Sequence, residues 1–125
     1  MNLLIVDDEP DVKMLFEQRF RRETKSGEIS LNYASSGKDA IEILENYADG
    51  SIMVLSDINM PEMNGFELLS VIRQKFNTPV PVVVMISAYG QQDYVDQAKQ
   101  LGANDFVTKP VDFAELKEKI RSLAS

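Results

Sequence analysis

The chain has 125 residues, 44% apolar and 26% charged, and this length and composition predict one globular domain rather than a disordered chain. Its 20 acidic and 13 basic residues give a net charge of −7, which opposes direct binding to nucleic acid or to an anionic membrane. Cysteine and histidine are both absent, so any chemistry must come from carboxylates, hydroxyls, amines and the backbone, without thiol catalysis, imidazole metal ligands or a Ser-His-Asp triad.

The first apolar run, Leu3 to Val6, predicts a strand buried on both faces, because it is short and lacks polar alternation. It is too short for a membrane span, and no positively charged leader precedes it, so we expect a cytoplasmic protein. Four acids follow within five positions: Asp7, Asp8, Glu9 and Asp11. An acidic turn before a helix accounts for Glu9 and Asp11, since the helix dipole favours negative charge there.

The rest of the chain alternates between helix and strand patterns. Short apolar or alternating runs predict four more strands, at Ile29 to Ala34, Ile52 to Leu55, Val82 to Ile86 and Asp105 to Thr108. Apolar residues at helical spacing predict five helices between and after these strands. The helical stripes are Val12, Leu15, Phe16 and Phe20; Ala40, Ile41, Leu44 and Ala48; Phe66, Leu69, Ile72 and Phe76; Val95, Ala98 and Leu101; and Phe113, Leu116, Ile120 and Leu123.

Two local signals refine the helices. Asn64 stands three residues before Glu67, the pattern of a capping box at a helix start. A basic cluster after the first stripe, formed by Arg19, Arg21, Arg22 and Lys25, is interpreted as the solvated tail of that helix rather than a docking patch. Strands and helices that alternate across short connections imply a parallel sheet with helices on both faces. The predicted fold class is therefore α/β and doubly wound.

Polar side chains stand at the carboxyl ends of four predicted strands, which is where such sheets bind ligands. Asp7 and Asp8 end the first strand, Asp57 the third, Ser87 the fourth and Lys109 the fifth. If the first and third strands flank the point where strand order reverses, these groups converge. Crowded carboxylates repel one another, and proton uptake or a bound cation relieves the repulsion. Mg²⁺ fits this set, because it prefers a few carboxylates, water and phosphate oxygens.

The motifs in this order resemble the receiver domains of two-component response regulators, across essentially the whole chain. The motifs are DD at Asp7 and Asp8, DINMPEMNG from Asp57 to Gly65, SA at Ser87 and Ala88, and KP at Lys109 and Pro110. The resemblance implies a single receiver domain over residues 1–125. It also implies a flavodoxin-like sheet of five parallel strands in the order 2-1-3-4-5, with five helices.

By this resemblance, Asp57 accepts a phosphoryl group from a phosphohistidine on a sensor histidine kinase or a phosphotransfer protein. Mg²⁺ would be bound by Asp57, by Asp8 directly and by Asp7 largely through water, with the backbone carbonyl of Asn59 as a further ligand. Lys109 would pair with Asp57 before transfer and with a phosphoryl oxygen afterwards. The expected product is an aspartyl phosphate formed in a Mg²⁺-dependent reaction.

The resemblance also assigns a conformational switch. Ser87 would hydrogen-bond the phosphoryl group while Phe106 swings inward, although a plain core role for Phe106 is an equal alternative. Asn59 and Tyr89 would tune the lifetime of the phosphoryl group, and Pro110 would follow a cis peptide bond. The switch would control a fused or separate output domain. The resemblance leaves open whether phosphorylation causes dimerisation.

Three other classes fit the sequence less well. A phosphatase of the haloacid dehalogenase kind needs a D-x-D pair on its strand, and the candidate strand continues as DIN. A pseudo-receiver, which binds without being phosphorylated, is expected to have lost members of the acid, serine and lysine set. A dinucleotide-binding domain requires the motif G-x-G-x-x-G after its first strand, but this chain has acidic residues there. Ser56 precedes Asp57 at a position where an apolar residue would be unsurprising, so we expect the surroundings of Asp57 to be more polar.

Overall fold

The computed structural model describes residues 1–47, 49–76 and 81–124. The strands in these ranges are β1 (Asn2–Val6), β2 (Ser30–Ala34), β3 (Ile52–Asp57), β4 (Val82–Ser87) and β5 (Asp105–Thr108). The α-helices in the same ranges are α1 (Pro10–Arg19), α2 (Arg21–Ser26), α3 (Gly37–Leu44), α4 (Gly65–Lys75), α5 (Gln92–Gln100) and α6 (Phe113–Ala124). A 3₁₀ turn, Glu45–Tyr47, extends α3. Ala48, which the sequence places in the second helical stripe, lies outside the described residues.

The five strands form one parallel sheet in the order β2-β1-β3-β4-β5, which confirms the predicted fold class and strand order. β1 and β3 are neighbours, with Val6 paired to Ser56 in register. The strand order reverses between these two strands, so the residues that follow each of them share one edge of the sheet. β2 lies at the edge and is half-exposed, as its alternating sequence predicts.

Both faces of the sheet are covered, which explains why β1, β3 and β4 each contain at least four consecutive apolar residues. Leu4 and Val6 of β1 point into a core cluster with helices α3, α4 and α5, whereas Leu3 and Ile5 join the opposite cluster with α1 and α6. Within the described ranges, no helix is long and apolar enough to cross a bilayer. Helices on both faces hold the strand ends in fixed positions.

The predicted count of five helices is wrong, because the supposed tail of the first helix is a separate helix, α2. Phe20 interrupts the helical path with ψ of 13°, and its fully buried ring stacks on Phe16. Because the ring of Phe20 is buried, the chain turns at this residue, and a new helix, α2, begins at Arg21. The tail is not wholly solvated either, since Glu23 is only 5% exposed and its carboxylate lies 3.1 Å from the Lys117 ammonium.

Helix α4 starts directly behind the end of β3. Asn64 and Glu67 form the predicted capping box, in which each side chain accepts a hydrogen bond from the other's backbone N–H. The next residue, Gly65, donates its N–H to the Ile58 carbonyl at 2.7 Å. A Cβ at Gly65 would overlap the backbone oxygen of Asp57, so only glycine allows the helix to start this close to the strand end.

Candidate functional site

Three carboxylates meet at the edge of the sheet where strand order reverses. Oxygen atoms of Asp7, Asp8 and Asp57 all lie within 4.8 Å of one another. The side chains of Asp7 and Asp57 are only 6% and 7% exposed, whereas Asp8 is exposed to solvent. The pairing of β1 with β3 causes this convergence, because Asp7 follows β1 and Asp57 ends β3.

Lys109 supplies the positive charge of this site. Its Nζ lies 3.5 Å from Oδ1 of Asp57 and 3.6 Å from Oδ2 of Asp7, so one ammonium bridges two carboxylates. Its backbone N–H donates to the Ser87 carbonyl at 2.8 Å, which ties the residue to the end of β4. The Lys109–Pro110 peptide bond is cis, the isomer that the resemblance implies. When all of these groups are ionised, three carboxylates outnumber one ammonium, and the net charge of the site is negative.

The pKa of Asp57 is raised above its ordinary value of 3.8. Burial is the main cause, because it penalises the charged form, and the negative charge of Asp7 adds to it. The positive charge of Lys109 and a hydrogen bond from the backbone N–H of Asn59 oppose the shift without cancelling it. An ionised Asp57 is therefore electrostatically unfavourable in the folded protein unless a further positive charge is present.

We expect Asp57→Asn to raise the free energy of unfolding when a chelator removes divalent cations. Because the folded-state pKa of Asp57 is raised, its ionised form destabilises the fold above that pKa. The destabilisation fades as pH falls through the raised pKa towards 3.8, so the gain of the variant over wild type shrinks on acidification. Urea unfolding at pH about 7.5 and about 5 measures both effects. A less stable variant, or a gain that grows at low pH, would contradict the assignment.

The donor atoms suit a hard divalent cation. Oδ1 of Asp7 accepts the backbone N–H of Glu9 at 2.9 Å, and its other oxygen faces Lys109, so this carboxylate is already held from two sides. Asp8, exposed and on the same edge, has an open approach to an ion. An all-oxygen set with room for water is the environment that Mg²⁺ prefers, so the residues present fit this ion.

Ser87, at the end of β4, is followed by the first of three aromatic rings that contact one another in a row. Ser87 is fully buried, and its Oγ accepts the backbone N–H of Tyr89 at 3.0 Å. Tyr89 is 50% exposed, with its ring centroid 5.9 Å from that of Tyr94. Tyr94 in turn meets Phe66 edge-on at 5.6 Å. The stripe predicted from Val95, Ala98 and Leu101 left out Tyr94, although Tyr94 stands at helical spacing from Ala98 and Leu101 and packs against the same core cluster.

Phe106 packs half-buried against the core cluster on the side of α3, α4 and α5. It lies on β5 opposite Met85 of β4. This position suits both a core residue and a ring that changes its burial, so its switch role stays a prediction.

The Ser56 hydroxyl is bonded to the backbone of Asp57 rather than to its carboxylate. The residue is buried, and its hydroxyl donates to the backbone oxygen of Asp57 at 3.0 Å. The hydroxyl is therefore satisfied by the backbone of the strand end. Its hydrogen bond supports the position of Asp57 rather than solvating its carboxylate.

An open groove of about 620 Å³ leads to the carboxylates between α1 and the connection from β5 to α6. Asp7, Asp57 and Lys109 line its inner end. The walls are largely apolar and include Val12 and Phe113. A reacting group carried by a larger molecule can therefore reach Asp57 without opening the fold.

A family model described as the response regulator receiver domain matches residues 3–121. The chain is 38% identical over 120 residues to response regulator protein PilR of Pseudomonas aeruginosa, covering 94% of this chain and 24% of PilR. It is also 38% identical over 123 residues to response regulator SaeR of Staphylococcus aureus, covering 98% of this chain and 50% of SaeR. The chain therefore spans about a quarter of the length of PilR and about half of the length of SaeR.

A structural likeness supports the fold independently. The structure of chemotaxis protein CheY4 of Vibrio cholerae superposes with a TM-score of 0.81, covering 97% of this chain and 96% of the other. The two sequences are 20% identical, so this likeness bears on the fold alone.

Proposed function

The chain belongs to the response regulator receiver domain family, the receiver part of two-component signalling, and from this premise we propose that Asp57 is its phosphoacceptor. The phosphoryl group would come from a phosphohistidine on a sensor histidine kinase or a phosphotransfer protein. One observation carries the proposal: a nearly buried carboxylate stands between two other acids and a lysine at the end of a groove.

In the proposed reaction, a carboxylate oxygen of Asp57 forms a bond to phosphorus as the phosphorus–nitrogen bond of the donor breaks. The donor imidazole leaves with the electron pair of that bond. Lys109, which contacts Asp57 before transfer, is placed to bind a phosphoryl oxygen afterwards. The Ser87 hydroxyl would donate to a second phosphoryl oxygen.

Mg²⁺ is the proposed cofactor. Asp57 and Asp8 would bind it directly, Asp7 largely through water, and Asn59 through its backbone carbonyl. When bound, the ion supplies positive charge that neutralises the transferring phosphoryl group.

Incubation of the chain with Mg²⁺ and a small acyl phosphate tests the function, with intact mass as the readout. We expect a gain of one phosphoryl group that disappears when a chelator is added. An unmodified chain with a suitable donor would overturn the proposal and favour a pseudo-receiver. Continuous release of inorganic phosphate from phosphomonoesters would instead favour the phosphatase alternative.

Asp8→Ala is expected to weaken Mg²⁺ binding by roughly tenfold or more, because it removes a direct carboxylate ligand while the fold is kept. Titration calorimetry measures the affinity. Asp11→Ala removes an exposed acid from α1 and serves as the control, which should bind Mg²⁺ as wild type does. Equal affinities of wild type and Asp8→Ala would remove Asp8 from the metal site.

Asn59 and Tyr89 are the proposed determinants of phosphoryl lifetime. Tyr89 lies two residues after Ser87, and we propose that its ring limits the approach of water to the aspartyl phosphate. Tyr89→Ala should therefore lose the phosphoryl group several times faster than wild type once donor is removed, whereas Tyr89→Phe should match wild type. If Tyr89→Ala loses its phosphoryl group at the wild-type rate, the proposed role of the Tyr89 ring is wrong.

The consequence of phosphorylation would be a change of state rather than turnover of an outside substrate. Ser87 and Phe106 would move together and remodel the face made by α5, β5 and α6. We propose that the whole chain acts as one receiver in the cytoplasm, controls a fused or separate output domain, and can dimerise through that face. Direct binding to nucleic acid or membrane is not part of the proposal, because the net charge is −7.

A further inference from the structure

Three aromatic rings, Tyr89, Tyr94 and Phe66, form a continuous aromatic row that begins two residues after Ser87. Tyr94 of α5 is the middle ring, 5.9 Å from Tyr89 and 5.6 Å from Phe66, measured between centroids. Tyr89 belongs to the loop after β4, and Phe66 is the second residue of α4. The row therefore joins the helix that follows β3, the strand of Asp57, to the loop that follows the neighbouring strand β4.

Each end of the aromatic row is fixed to a site residue. At one end, the backbone N–H of Tyr89 donates to the buried Oγ of Ser87 at 3.0 Å. At the other end, Phe66 follows Gly65, which is packed against the backbone of Asp57. The ring that contacts Tyr94 and the N–H that bonds Ser87 therefore belong to the same residue, Tyr89.

The hydrogen bond from Tyr89 restricts the direction of the Ser87 hydroxyl proton. A serine hydroxyl has one proton and two lone pairs, and the Tyr89 N–H occupies one of the lone pairs. The proton is thereby excluded from the position that faces the Tyr89 N–H and is left with the other two, from which it can serve an acceptor in the site. An oriented donor costs little reorganisation when negative charge develops on the transferring group.

We propose that Tyr94 is a positioning residue for phosphoryl transfer, whose ring holds Tyr89 so that the Ser87 hydroxyl is oriented before the donor arrives. This inference rests on the proposed function. It differs from the lifetime role of Tyr89, because it concerns the rate of uptake and acts through the backbone of Tyr89. Loss of the central ring frees the loop, and the Ser87 hydroxyl then samples other directions.

The test compares initial rates of phosphoryl uptake from a small acyl phosphate at saturating Mg²⁺, followed by intact mass. Tyr94→Leu should slow uptake by about threefold to tenfold, the effect expected for losing an aromatic contact. Tyr94→Phe keeps the ring and should restore uptake to within about twofold of wild type. In a Ser87→Ala background, Tyr94→Leu should cause no further slowing, since the hydroxyl that it orients is absent.

Controls separate the possible outcomes. Mg²⁺ affinity should be the same in wild type and Tyr94→Leu, and thermal unfolding shows whether each variant is folded. If Tyr94→Leu does not fold, Phe66→Leu removes the other contact of Tyr94 and is expected to slow uptake in the same Ser87-dependent way. Equal slowing with and without the Ser87 hydroxyl, or no slowing, would overturn the inference. A wild-type chain that takes up no phosphoryl group would instead overturn the proposed function.

Discussion

Asp57→Asn is expected to reduce Mg²⁺-dependent phosphoryl uptake to background. Its amide keeps the size of the side chain but is not the anionic nucleophile that attacks phosphorus, and removing a nucleophile costs about 10⁶-fold in well-studied enzymes. The fold should persist, because the raised pKa of Asp57 shows that its charge is unfavourable at this position. Intact mass during incubation with donor and Mg²⁺ measures the loss.

Asp49→Asn provides the matched control, since it makes the same chemical change at an exposed acid in the segment before β3. This variant should gain one phosphoryl group at the wild-type rate. Uptake by Asp57→Asn at the wild-type rate would mean that another residue is the acceptor.

Lys109→Met is expected to slow phosphoryl uptake by about 10²-fold or more. The ammonium lies 3.5 Å from Asp57 and 3.6 Å from Asp7, so it is the cationic side chain placed to offset their charge. Methionine fills similar volume without charge, and loss of one fixed electrostatic donor costs about 10²-fold to 10³-fold in enzymes. Rates at saturating Mg²⁺ isolate this effect from any change in metal affinity.

Lys119→Met is the control for Lys109→Met. Lys119 pairs with Asp105 at 3.1 Å on a partly exposed surface, away from the carboxylates. Its loss should leave the uptake rate unchanged. If Lys109→Met also reacts at the wild-type rate, the proposed role of the lysine is wrong.

The fold could be predicted largely because its signals are local. Leu3 to Val6 and Ile52 to Leu55 are short, fully apolar runs, and such runs belong to strands covered on both faces. Alternation with helices then implies parallel strands, whose carboxyl ends lie at one edge of the sheet. The same alternation predicts that Asp57 lies beside Asp7 and Asp8, and oxygen atoms of the three carboxylates lie within 4.8 Å of one another.

The features that the sequence did not predict depend on contacts between distant residues. Phe20 looked like one more residue of a helical stripe, but burying its ring ends α1 and creates α2. No sequence pattern singled out Glu23, and only the packing of α6 shows that Lys117 pairs with it. Tyr94 shares the helical spacing of Ala98 and Leu101, so periodicity could place it on the buried face of α5, but its contacts with rings in a loop and in α4 are visible only in the structure.

The central claim is that Asp57, rather than a neighbouring acid, becomes the acyl phosphate. Hydroxylamine converts an acyl phosphate to a hydroxamate, so treatment of the phosphorylated chain followed by peptide mapping identifies the modified carboxyl group. The account predicts a hydroxamate at Asp57 and none at Asp7 or Asp8. A hydroxamate on either of those acids, or a phosphorylated chain that yields none, would contradict it.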